Sequence, residues 1–69
     1  MAAYKCVLLG HMGQVEAVEE FAAITSGRAL KIARRIIRHS APRCVAFELW
    51  LGRKLVRAEP RAPDPKPAP

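Results

Sequence analysis

Residues 25–40 read Thr-Ser-Gly-Arg-Ala-Leu-Lys-Ile-Ala-Arg-Arg-Ile-Ile-Arg-His-Ser, and this stretch decides the fold. At about 100° per residue, Ala29, Leu30, Ile32, Ala33, Ile36 and Ile37 cover one arc of a helix, while Arg28, Lys31, Arg34, Arg35 and Arg38 cover the opposite arc. The pattern predicts a helix with one buried face and one solvated, basic face. Thr25 or Ser26 is placed to cap it, because a hydroxyl there accepts hydrogen bonds from first-turn amides. Ser40-Ala41-Pro42 ends it, since the residue before a proline is driven out of helical geometry. Such a helix buries its stripe only against another layer, which the flanking segments must supply.

Upstream, Tyr4 to Leu9 is short and rich in strand formers, and it runs into Gly10-His11-Met12-Gly13, a turn whose glycines permit positive φ. Gln14 to Phe21 reads two ways. Val15, Ala17 and Phe21 alternate as in a strand, whereas Val15, Val18 and Ala22 have helical spacing and Ala and Glu favour a helix intrinsically. A lone first strand needs a hairpin partner, so a second strand, bulged near Val18, is the preferred reading. The alternative is a helical hairpin of Gln14–Ile24 and Arg28–His39.

Downstream of Pro42, Cys44 to Trp50 reads as a strand with Val45, Phe47 and Leu49 on one face. Gly52 marks a turn, and Lys54-Leu55-Val56-Arg57 returns as a fourth strand. The expected fold is α+β, in the order ββαββ, with one helix packed on a small four-stranded sheet. A right-handed crossover would run the third strand parallel to the second and insert it beside the first.

The chain has 69 residues and a net charge of +6. One small α+β domain over residues 1–58 is expected, with residues 59–69 as a Pro-rich disordered tail. A core this small is marginal and raises the expectation of a homodimer. Two cysteines, Cys6 and Cys44, cannot build a disulfide framework, and no leader opens the chain, so a reducing cytoplasm is the expected setting. No apolar run approaches the roughly 20 residues of a membrane span. Charge is unevenly placed: residues 1–20 sum to −2, residues 21–47 to +6 with no acid at all, and residues 48–69 to +2.

Tyr4 to Gly10, Phe21-x-Ala23, Arg28-Ala29-Leu30-x-Ile32-Ala33-Arg34-Arg35 and Glu48-Leu49-Trp50-x-Gly52-Arg53-x-Leu55-Val56 resemble a group of short uncharacterised bacterial proteins. That group shares a Glu-Leu-Trp-x-Gly hairpin after one helix. The resemblance spans residues 4–57 and implies the ββαββ order. It implies no activity and no functional residues. Thr25-Ser26-Gly27 stands where acidic residues commonly open that helix, and the connection around Ser40–Arg43 is longer.

Arg28, Lys31, Arg34, Arg35 and Arg38 are candidate contacts to a polyanion such as a nucleic-acid backbone, without aromatics or amides on the helix to read bases. Cys6-x4-His11 and His39-x4-Cys44 lack the two-to-four-residue spacing that preorganises a zinc tetrahedron, and no carboxylate near either histidine suggests an activated thiol. No metal, no cofactor, no small-molecule substrate and no enzymatic activity are expected. Arg57-x-x-Pro60-x-x-Pro63 has the form of a polyproline ligand and reads as tail. Trp50 alternates with Val45, Phe47 and Leu49, which puts it on the other sheet face, where it joins Val7, Leu9 and Val18 as a candidate interface. The sequence therefore predicts a nonenzymatic, self-associating interaction module, the alternative being a protein that binds polyanions or nucleic acid through the helix cations.

Overall fold

The computed structural model describes residues 1–63. Its elements are β1 (Ala2–Leu9), β2 (Val15–Ala23), α1 (Ser26–Arg38), β3 (Ala46–Leu51) and β4 (Lys54–Pro60), the expected ββαββ order. The four strands form one sheet in the order β2-β1-β3-β4, every neighbouring pair antiparallel. β3 therefore lies beside β1 and runs in the direction of β2. No helix among the described residues is long and apolar enough to cross a membrane.

Residues 15–21 belong to strand β2 and not to a helical hairpin, with Gln14 left in the turn. The β1–β2 hairpin closes with Gly10 N–H donating to Gln14 O at 2.9 Å and Gly13 N–H to Gly10 O at 3.0 Å. Gly13 adopts φ 78°, which a side chain would resist. The bulge lies lower than expected, between the Leu8↔Ala17 and Leu9↔Val15 pairs, so the extra residue is Glu16 and not one near Val18. A charged network accompanies it: Gln14 Nε2 donates to Glu16 Oε1 at 3.0 Å, and Arg43 Nε donates to Glu16 Oε2 at 3.1 Å.

Thr25 is the N-cap of α1, its hydroxyl accepting from Arg28 N–H at 3.1 Å. His39 is the C-cap, and Ser40 Oγ donates back to Ile37 O at 2.6 Å. Ala29, Ala33 and Ile37 are buried, and Leu30, Ile32 and Ile36 pack partly buried around them. They meet Tyr4, Cys6 and Leu8 of β1, Ala23 of β2 and Phe47 and Leu49 of β3 in a single core. Tyr4 and Phe21 stack across β1 and β2 with centroids 6.1 Å apart.

The second hairpin corrects where β3 begins and where β4 ends. Cys44 is buried but sits in the connection before β3, which starts at Ala46. A bulge at Val56, between the Leu49↔Arg57 and Trp50↔Leu55 pairs, shifts the register of β4. The strand then continues through Glu59 and Pro60, and Arg61 N–H donates to Val45 O at 2.7 Å, so β4 runs past Arg57, the last residue of the expected fourth strand. Arg57 and Pro60 of the proline pattern are strand residues, because an edge strand tolerates proline where the missing N–H falls on the unpaired side. The rest of the expected tail, residues 64–69, lies outside the described residues.

Candidate functional site

Tyr4, Cys6 and Leu8 of β1 face the helix, so Ala3, Lys5, Val7 and Leu9 face away from it. Register carries that second face across the sheet. Val7 lies between Val18 and Glu48, Lys5 between Glu20 and Trp50, and Leu9 between Val15 and Ala46. Beyond β3, Trp50 is opposite Leu55, Glu48 opposite Ala58 and Ala46 opposite Pro60. Val7, Leu9, Val18 and Trp50, the four residues picked out in the sequence, thus share one face.

Nothing among the described residues covers this face, because the one helix they form packs on the other one. Val15 is 61% exposed, Val18 49% and Leu55 44%, so apolar side chains at both edges of this face meet solvent. Trp50 is half-buried, and its indole N–H donates to Glu48 Oε1 at 3.2 Å, which satisfies the ring's one polar group. Only Lys5, Glu20 and Glu48 bring charge to the paired positions, a sum of −1 on a chain of +6. Val15 and Leu55 escaped the sequence reading because each lies just past a bulge, where period-two alternation breaks.

The opposite surface is the basic side of α1. Arg28, Lys31, Arg34, Arg35 and Arg38 are all exposed, but they are not equivalent. Arg34 sits on the flank toward β4, where its Nε and Nη2 donate to the Glu59 carboxylate at 2.9 and 2.7 Å. Arg57 Nε also reaches Glu59, at 3.0 Å. These guanidinium partners, the Arg34 hydrogen bonds first among them, hold the Glu59 carboxyl below its usual range. Arg28, Lys31, Arg35 and Arg38 have no carboxylate partner among the described residues.

The cysteines and histidines divide. His39 and Cys44 line one cleft of about 350 Å³ between the end of α1 and β2, together with Glu16, Glu19 and Arg43. Cys6 lies in the core, and His11 is exposed at the hairpin turn. Both cysteines are free thiols. Among the described residues no group of three or more His, Cys, Asp or Glu side chains could hold a metal ion. Burial, and secondarily the charge of Glu19, pushes the Cys6 thiol up to about 11, which disfavours the thiolate that nucleophilic chemistry needs.

Arg61 is a structural residue that sequence reading missed. Its Nη1 donates to Ala41 O and Cys44 O at 3.0 and 3.1 Å, and its Nη2 to Arg38 O at 3.2 Å and Ser40 O at 3.5 Å. One guanidinium thereby caps the carboxyl end of α1 and fixes the connection into β3.

The chain matches no protein-family model, no curated protein and no solved structure.

Proposed function

We propose that this chain is a nonenzymatic interaction module that self-associates through the open face of its sheet. The observation that carries the reading is that face itself, with Val7, Leu9, Val15, Val18, Trp50 and Leu55 on one side of the sheet and no layer of the described residues over them. A second copy is the occupant best suited to it on electrostatic grounds. Two basic helix faces repel, whereas two sheet faces meet nearly neutral, and a two-fold arrangement can set Lys5 of one copy near Glu20 or Glu48 of the other. Pairing also offsets the marginal stability of so small a core by mass action.

Trp50 is the only tryptophan, so its emission reports on this face. Self-association moves the emission to shorter wavelength as concentration rises, and Val18→Glu, which sets a third carboxylate near Glu20 and Glu48, abolishes the change. Emission independent of concentration up to the millimolar range contradicts the reading.

A second reading has its own observation, the four helix cations without carboxylate partners among the described residues. They suit a polyanion, and their engagement is measured by the salt dependence of binding.

A further inference from the structure

At about 100° per residue, Arg28, Lys31, Arg35 and Arg38 fall within about 80° of arc centred opposite buried Ala33, while Arg34 stands outside that band on the flank. The four recur at three- and four-residue steps over a length of about 15 Å. They form a straight basic ridge, and the ion pair to Glu59 removes the fifth cation from it. No apolar side chain of α1 shares the ridge: Ala29, Ala33 and Ile37 are buried, and Leu30, Ile32 and Ile36 are turned toward the core, with exposed Ile24 lying before the N-cap. An interfacial membrane helix needs the reverse, an apolar face free to enter the acyl boundary. A ridge of cations alone fits a phosphate backbone, with one charge per about 1.7 Å of duplex axis.

Sheet-to-sheet association fixes where two such ridges go. Each helix packs on the sheet face that the interface does not use, so a two-fold dimer stacks as helix, sheet, sheet, helix. The two ridges then point in opposite directions from the outer layers. They cannot lie along one duplex side by side.

We propose that the dimer bridges two nucleic-acid duplexes, one against each outward ridge, without reading base sequence. The inference rests on the self-association reading and adds the partner and the geometry.

The test uses the full chain with two DNA duplexes of unrelated sequence, one fixed to beads and one fluorescent in solution. Anisotropy reads binding to a single duplex, retention of fluorescence on the beads reads bridging, and sedimentation in the same buffer reads the dimer. The wild type retains the fluorescent duplex, and its affinity falls as salt rises. Val18→Gln with Leu55→Gln, which leaves charge unchanged, sediments as a monomer, keeps its anisotropy and loses retention. Lys31→Gln with Arg35→Gln and Arg38→Gln remains a dimer, and its salt slope shrinks by about 0.9 per replaced contact on duplex DNA. A dimer that binds duplex without retaining the second overturns bridging and leaves self-association standing. A monomeric wild type overturns both. Binding to vesicles of phosphatidylserine and phosphatidylcholine with no binding to duplex overturns the proposal in favour of a membrane surface, and so does a triple variant that binds duplex like the wild type.

Discussion

Arg34 and Glu59 join the flank of the helix to the edge strand by two parallel hydrogen bonds of 2.9 and 2.7 Å, across 25 residues of sequence. The pair explains why one of five helix cations is structural. It also ties down β4, the strand over which the helix supplies least of the core. Arg34 is 49% exposed and Glu59 18%, so the pair is a surface one and weakens with salt.

Its pH dependence has a definite sign. The Glu59 carboxyl is held below its usual range, so the stabilisation is present above the ordinary carboxylate pKa and is lost as pH falls through the lowered, folded-state value. Glu59→Gln is therefore less stable than the wild type at neutral pH, and the difference closes at acid pH. Thermal midpoints of both proteins across an acid titration check this; a difference that does not close contradicts it.

Arg61→Ala removes donors from four carbonyls at the end of α1 and in the connection to β3. Loss of charged hydrogen bonds to partly buried acceptors costs about 1–3 kcal/mol. Arg61→Lys recovers little, because a compact ammonium cannot span that fork of acceptors. Urea midpoints for the two variants measure the effect.

Ile37→Ala empties a buried site between the helix and Phe47, and costs about 2–5 kcal/mol, a large part of a small domain's stability. Ile36→Ala costs less, since Ile36 is only partly buried. Denaturant unfolding gives the ranking, and equal losses would contradict this packing.

Cys6 adds an alkaline prediction. A thiol raised from about 9 to about 11 by burial stabilises the fold fully below the unfolded value, and that contribution is lost as pH rises from one toward the other. Between those values the wild type loses stability faster than Cys6→Ala. Folded Cys6 is also slow toward alkylating reagents at neutral pH, which mass spectrometry reads directly.

Much of this architecture is legible in the sequence. The helix is readable residue by residue, because a two-sided pattern over three turns fits no other period. β2 is harder for a physical reason. It is an edge strand with little cover on either face, so Glu19 on the helix side and Glu20 on the open side interrupt the alternation that marks buried strands. The end of β4 is hidden by Pro60, whose spacing with later prolines imitates a tail. Arg34–Glu59 and Arg43–Glu16 depend on strand order, which local pattern does not encode. The open face was half visible: Val7, Leu9, Val18 and Trp50 follow from alternation, whereas Val15 and Leu55 lie past bulges that alternation cannot place.

The most direct test of the central claim is sedimentation equilibrium of the full chain over a concentration series, beside Trp50→Ala. A reversible monomer–dimer equilibrium at micromolar concentration is expected. Loss of the central aromatic weakens it by about 2 kcal/mol, roughly thirtyfold in dissociation constant. A wild type that sediments as a monomer throughout, or a Trp50→Ala protein that dimerises as tightly as its parent, contradicts it.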